Sequence, residues 1–107
     1  MGPRVEWSPE AIEDVEAIAE YIDRDSKFYS QAIVSKIIEA SRHLSQFPRS
    51  GRVIPELGVD HMRERFIYSY RLVYRIERER ILIVAVIHGK RLLDSISGRF
   101  TQQNDKT

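Results

Sequence analysis

Apolar residues recur at steps of three and four along the first half of this chain and at steps of two along the second, so helices give way to strands near its middle. Arg4 to Trp7 is a short candidate strand. Ser8-Pro9 then marks a helix start, because a serine oxygen accepts a free backbone N–H and proline at the first helical position lacks a donor that has no partner there. Glu10, Glu13 and Asp14 suit the positive end of the helix dipole. Ala11, Val15, Ile18, Ala19 and Ile22 form an apolar stripe opposite an acidic face, and the helix is expected to end near Asp25-Ser26. A second helix begins around Phe28 and carries Ala32, Ile33, Ile37, Ala40, Leu44 and Phe47 on its stripe. It ends before Pro48, since a residue preceding proline is pushed out of the helical region. Two such helices, antiparallel and joined by a short link, bury their stripes against a common surface.

Pro48 to Arg52 reads as a turn, and Pro55 and Gly58 extend the irregular stretch toward Asp60. From Met62 the period becomes two: Met62, Glu64, Phe66 and Tyr68 alternate with Arg63, Arg65 and Ile67. Tyr70, Leu72, Tyr74 and Ile76 then alternate with Arg71, Val73 and Arg75, the pattern of a half-buried strand with an arginine face. Glu77-Arg78-Glu79 supplies a hairpin connection, and the uninterrupted run Ile81 to Ile87 suits a central strand covered on both sides. The order strand, helix, helix, strand, strand, strand implies an α+β domain: an N-terminal strand and a two-helix antiparallel hairpin packed on a small, mainly antiparallel sheet of about four strands. The sheet's other face is then left to Arg71, Arg75 and whichever of Arg63 and Arg65 points that way, an assignment that a one-residue slip in register would reverse. Residues 1–100 are expected to form a single domain, and 101–107, polar throughout most of their length, a disordered tail.

Composition narrows the function classes. At 107 residues the chain supports one core, not a cofactor domain plus a substrate domain. The longest apolar run has seven residues, well short of the roughly 20 that a membrane span needs. Met1-Gly2-Pro3-Arg4 has no apolar stretch of the signal-peptide kind, and Glu6 stands where a myristoylation signal wants Ser or Thr, so a soluble, cytoplasmic chain is expected. With no cysteine, and with His43, His61 and His88 widely spaced, neither a metal site nor a bound cofactor is expected. The formal net charge of +1 conceals a division: residues 1–39 carry −5 and the remainder +6. Such asymmetry bears on partners rather than on fold, although a charge run is as often a merely solvated face.

Several segments, in order, resemble the RelE/ParE superfamily of toxins from type II toxin–antitoxin (plasmid stabilisation) systems of bacteria and archaea. They are Trp7-Ser8-Pro9-Glu10-Ala11, Phe47 to Arg52, Pro55-Glu56-Leu57-Gly58, the Arg63-Glu64 pair, Tyr70 to Ile76, and Val86-Ile87-His88-Gly89-Lys90-Arg91. The resemblance extends from about Val5 to Ile96 and rests on order and spacing rather than on any single piece. It implies one of two activities. RelE-like members cut messenger RNA in the ribosomal A site, whereas ParE-like members share the backbone, lack the nuclease residues and act on DNA gyrase. RNA cleavage by attack of the ribose 2′-OH needs a proton acceptor, positive charge on the phosphorane and an acid for the leaving oxygen. The resemblance offers Arg71 and Arg91 as functional arginines and His88 as a possible acid or base.

This chain departs from the nuclease pattern where it matters most. Met62 and Glu64 stand where RelE-like enzymes place lysines, and Ser97 stands where they place a late tyrosine. Arg63 and Arg65 could substitute under a shifted register, yet arginine stays protonated and is a poor general base. The Pro55 to Gly58 segment and the Val86 to Arg91 ending look more like the ParE side, which favours a toxin that is not a nuclease. Either activity implies a cognate antitoxin, a toxin–antitoxin hetero-oligomer, and a target- or antitoxin-binding set of Arg63, Arg65, Arg71, Arg75, Lys90 and Arg91. A remnant that binds antitoxin without being toxic is a third possibility. The plainer readings are that Arg71 is a solvated or antitoxin-paired arginine, His88 a structural histidine, and Trp7, Tyr70 and Tyr74 sheet packing, with Leu92, Leu93 and Ile96 docking a short terminal helix.

Overall fold

Five strands and two helices follow one another as β1 (Arg4–Trp7), α1 (Pro9–Asp23), α2 (Lys27–His43), β2 (Arg52–Val53), β3 (Met62–Ile67), β4 (Tyr70–Ile76) and β5 (Arg80–His88), with a 3-10 segment at Leu93–Arg99. The computed structural model describes residues 2–91 and 93–100. Leu92 and the expected tail at 101–107 lie outside the described residues. The sheet runs β1-β5-β4-β3-β2, with β1 parallel to β5 and every other pair antiparallel. It has one strand more than the periodicity shows, because β2 is only two residues long and a pair of residues has no period to read.

The helical hairpin forms as its caps dictate. Ser8 Oγ accepts the Ala11 N–H at 3.1 Å, and Ser26 Oγ accepts the Tyr29 N–H at 3.0 Å. The first cap starts α1 at Pro9, and the second starts α2 so early that α1 ends at Asp23, two residues before the expected stop. Helix α2 ends at His43 rather than running to Pro48, and Leu44 to Phe47 turn off through bonds to the last carbonyls of the helix. Phe47, placed on the apolar stripe by its spacing, therefore leaves the core and stands half exposed against the His43 ring at 5.0 Å. Ala32 is exposed as well. The rest of the stripe is as expected: Ala11, Ile33, Ile37, Ala40 and Leu44 pack on Leu72, Tyr74, Ile81, Ile83 and Val86, flanked by Trp7, Val15, Ile18 and Ile22.

The far face of the sheet carries a second apolar cluster of Ile54, Met62, Val73, Leu82, Val84, Ala85, Ile87 and Ile96, with Leu57 and Phe100 against its edges. A β-bulge makes this possible. Val73 pairs with Ala85 but Tyr74 pairs with Ile83, so Val84 is an extra residue on β5. The insertion resets the two-residue alternation, sending both Val84 and Ala85 to the far face while Ile83 and Val86 stay on the helical one. The whole run Ile81 to Ile87 is buried as a result.

Strand β1 stops at the Trp7–Ile83 pair, which leaves the outer edge of β5 unpaired beyond that point. Side chains from α1 and from the 3-10 segment close it: the Val86 N–H donates to Asp14 Oδ2 at 2.9 Å, and Arg99 Nη1 reaches Asp14 Oδ2 at 2.7 Å and the Val84 carbonyl at 3.2 Å. Asp14, one of several acids when read along the sequence, is thus an edge cap.

On the helical side the loop after α2 is held by Tyr74. Its fully buried phenol donates to the Pro48 carbonyl at 2.7 Å and accepts the Gly51 N–H at 3.0 Å. Burial is the largest influence on this phenol and raises its pKa above the ordinary 10.0, so the donor is retained at every physiological pH. Gly51 is required by close approach, since a β-carbon there would lie 2.6 Å from the Glu64 carbonyl oxygen and 2.7 Å from the phenol oxygen. Tyr74→Phe is expected to cost roughly 1–3 kcal/mol in urea unfolding, because it leaves a buried N–H without an acceptor. Gly51→Ala should cost more. Parent-like midpoints for both variants would mean that this clamp does not hold the loop.

Candidate functional site

Residue Glu64 on β3 faces the second cluster with its side chain fully buried, and the candidate site is organised around it. Its neighbours follow from register. Arg52 pairs directly across from Glu64 on β2, and Arg71 lies two pairs along on β4, opposite Phe66. Arg71 donates through Nε to Glu64 Oε1 at 2.7 Å and through Nη2 at 2.5 Å, while Arg52 Nε donates to Oε2 at 2.7 Å. Glu56, from the loop before β3, adds a second carboxylate 3.6 Å from Arg71 Nη2. Both guanidinium groups also lie over the Phe66 ring, at 5.3 Å for Arg52 and 5.9 Å for Arg71. Two arginines meeting two carboxylates leave the far face of this end of the sheet with no surplus charge.

The arginine face expected from the alternation is therefore not an open cationic surface. The alternation itself holds, but Arg71 is 5% and Arg75 6% exposed, and both are matched to carboxylates because an unpaired buried charge is prohibitively costly. Arg75 meets Glu77 at 2.9 Å and donates to the Phe100 carbonyl at 2.7 Å, which fastens the end of the described chain onto the sheet. From Glu77 the ion pairs continue to Arg80 at 2.6 Å, from Arg80 to Glu6 at 2.7 Å, and from Glu6 to Arg4 at 2.9 Å, crossing β4, β5 and β1. Burial pushes the Glu77 carboxyl up, but hydrogen bonds from Arg80 and Arg75 outweigh it and hold the group below its ordinary 4.5.

Neither Arg63 nor Arg65 joins Arg71 and Arg75. Alternation along β3 turns both to the helical face, where they pair across from Tyr74 and Leu72. Arg63 donates to Asp60 and to the carbonyls of Asp60, Arg49 and Gly51; Arg65 reaches His43 Nδ1 and Ser50 Oγ, both at 3.4 Å. Asp60 is held below its ordinary 3.8 by hydrogen bonds from Arg49 and then Arg63.

The three residues offered for RNA chemistry are divided in the same way. His88 is exposed and meets the Tyr70 ring edge-on at 5.8 Å, so it faces the helical side, whereas Arg71, next along β4, points to the other. Arg91 accompanies His88 instead: with Asp14, Tyr21 and Tyr70 they line a cleft of about 370 Å³ between α1 and the end of β5. The Lys90 N–H donates to His88 Nδ1 at 3.2 Å, which leaves Nε2 as the protonated nitrogen of the neutral ring, and Arg91 Nε donates to Ser95 Oγ at 2.9 Å. Lys90 and Arg91 are exposed and, among the described residues, have no carboxylate partner. Burial raises the Tyr70 phenol above the ordinary 10.0, and the nearby Tyr21 and Tyr29 raise it further, so it cannot take a proton near neutrality. Sequence reasoning missed the Arg52 and Glu56 partners of Glu64; an acid within an arginine-rich strand was the available signal. Among the described residues no group of three His, Asp or Glu side chains could hold a metal ion, and no helix is long and apolar enough to cross a membrane.

The family model described as "ParE toxin of type II toxin-antitoxin system, parDE" matches residues 5–93. No curated protein matches the chain. Among solved structures, the chromosomal ParDE toxin–antitoxin system from P. aeruginosa has a TM-score of 0.67 at 20% identity, covering 80% of this chain and 95% of that one. The RelBE toxin–antitoxin complex from Mycobacterium tuberculosis has a TM-score of 0.59 at 22% identity, covering 82% and 99%. An arginine-to-alanine mutant of E. coli toxin RelE in the free state has a TM-score of 0.63 at 12% identity, covering 99% and 98%. These likenesses establish the fold.

The buried cluster makes two predictions. Glu64→Leu alone should destabilise by roughly 3–5 kcal/mol, because buried Arg71 loses its close carboxylate and keeps only the more exposed Glu56 at 3.6 Å, and Glu64→Leu with Arg71→Met should recover most of that loss. Equal losses from the single and the double substitution would mean that the pairing itself contributes nothing. The depressed Glu77 carboxyl contributes stability that is present above about pH 4.5 and lost as pH falls through its folded-state pKa. Thermal melts taken downward from pH 6 should therefore fall off below that value, and Glu77→Gln should flatten the decline. An unchanged slope in the variant would remove Glu77 as a cause.

Proposed function

This chain belongs to the ParE toxin family of type II toxin–antitoxin systems, and on that premise we propose that it is a cytoplasmic growth inhibitor that acts on DNA gyrase and is neutralised by a cognate antitoxin. The observation that carries this reading is Glu64. A carboxylate, fully buried and shared by Arg52 and Arg71, occupies a position where the nuclease pattern requires a lysine. Stabilising a phosphorane requires uncancelled positive charge aimed at open space. Arg71 offers neither, being covered and neutralised by Glu64, and no arginine can act as the base. What the surface does present is a pair of exposed cations, Lys90 and Arg91, with no carboxylate partner among the described residues, and exposed aromatic rings, equipment suited to gripping a protein.

One observation favours message cleavage as the second reading. His88 is exposed and shares its cleft with Arg91, which places an acid–base side chain beside a cation. The antitoxin fits elsewhere. Trp7, Ile12, Val15 and Ile38 line an apolar trough along the helical hairpin, with Glu16 at its rim, and a wrapping amphipathic helix would bury it to form a hetero-oligomer. Since most arginines are already paired within the chain, apolar burial rather than charge would drive that association.

Expressed without antitoxin, the protein should arrest growth, and the purified chain should inhibit supercoiling by gyrase while messages in a translating extract stay intact. His88→Ala should leave that inhibition unchanged, whereas Lys90→Glu with Arg91→Glu should weaken it by about tenfold, a loss of about 1.4 kcal/mol in binding. Cleaved messages that disappear with His88→Ala would establish the nuclease reading instead, and a chain inactive in both assays would be an antitoxin-binding remnant.

A further inference from the structure

The β3–β4 hairpin turns through Tyr68 and Ser69, closed by the Ile67–Tyr70 pair. Tyr68 has φ 54°, the left-handed region that glycine and asparagine occupy readily and a bulky side chain does not. It is alone in this among the described non-glycine residues. The ring is 61% exposed and, among the described residues, makes no hydrogen bond or ring contact that would offset the strain. A large aromatic held mostly in water on a strained turn gains little burial for its strain, and such strain collects where a surface is used. Between the hairpin and α2 lies a cleft of about 480 Å³ lined by Lys36, Glu39, Ala40, His43, Arg65 and Tyr68, whereas the half-exposed Phe66 ring lies on the other face under the Arg52 and Arg71 guanidinium groups.

We propose that this tip, with Tyr68 as the apolar contact and Arg65 as the charged one, forms, beside Lys90 and Arg91, a second part of the surface by which the toxin grips its target enzyme. The complementary partner is an acidic protein segment whose apolar side chain enters the cleft while a carboxylate meets Arg65. The proposal rests on the gyrase-inhibitor reading for the identity of the target. Charge supports a carboxylate partner, because Arg65 has only two long contacts, to His43 and Ser50, and no acidic partner among the described residues. It argues against a nucleic-acid strand, which takes several free cations along its backbone, whereas here Lys36 already has Glu39 at 3.8 Å and Arg65 stands alone. Shape separates this surface from the antitoxin's. The trough along the helical hairpin suits an extended helix, but the tip is compact and suits a few side chains of a folded partner.

The test uses Tyr68→Gly, which relieves the strain, so it should melt at or above the parent temperature while supercoiling inhibition by the intact toxin falls about tenfold or more. Arg65→Glu should fall similarly, and both variants should still form the complex with co-expressed antitoxin. Tyr68→Asn, which also tolerates the left-handed region, serves if the glycine variant does not fold. Undiminished inhibition by folded variants would overturn the proposal. So would loss of antitoxin binding in step with inhibition, which would make the antitoxin the occupant, or loss of binding to a single-stranded DNA probe, which would make it a nucleic acid. If the parent does not touch gyrase at all, the target reading fails by itself; growth arrest by folded Tyr68→Gly then decides the tip, full arrest overturning it and lost arrest supporting it.

Discussion

The carboxylate of Glu64, buried on the far face of the sheet and shared by Arg52 and Arg71, is the interaction on which the rest of this structure depends. It joins β2, β3 and β4 through side chains where β2 has only two residues of backbone pairing to offer. It also removes charge from the region where an open arginine surface would otherwise stand. A charge can be buried only with its partner in contact, so Arg71 cannot serve as an exposed phosphate ligand while Glu64 occupies its place. A single acid in an arginine-rich strand thereby sets both the stability of one end of the sheet and the chemistry that end cannot perform.

With that face neutral, apolar cover becomes possible on both sides. The helical hairpin buries one face; the loop around Ile54 and Leu57, together with Ile96 and Phe100, buries the other. The bulge at Val84 lets β5 supply apolar side chains to both clusters. Two arginines anchor the last described residues over this second core: Arg75 holds the Phe100 carbonyl, and Arg99 closes the edge of β5 with Asp14. Most guanidinium groups of the basic half are thus structural, and the excess of base over acid read along the chain overstates the charge available to a partner.

What is left for recognition lies at the margins of the sheet rather than on its face. Lys90 and Arg91 stand at the end of β5 beside His88, and Phe66 and Tyr68 stand at the β3–β4 turn. These are short, solvated segments fixed by a rigid sheet, the setting in which binding residues are commonly carried. The apolar trough of Trp7, Ile12, Val15 and Ile38 lies along the helices, on a different part of the molecule.

Most of the architecture was legible in the linear pattern, because local physics decides it. The Ser8 cap and Pro9, the stripes of Ala11 and Ile33, the alternation of Tyr70 to Ile76 and the apolar run Ile81 to Ile87 each depend on neighbours within a few residues. The family resemblance was legible too, through the order of several short segments. Strand β2, the early end of α2 and the bulge at Val84 were not, since each answers to partners distant in the chain. The clearest limit is at the arginines. Alternation alone put Arg71 and Arg75 on one face, but whether that face met water or a buried Glu64, a docked Phe100 and an apolar cluster depended on contacts 7 and 25 residues away, and only the assembled fold could decide it. The fate of a charge is settled by desolvation and pairing, which are properties of the packed molecule and not of the order of its residues.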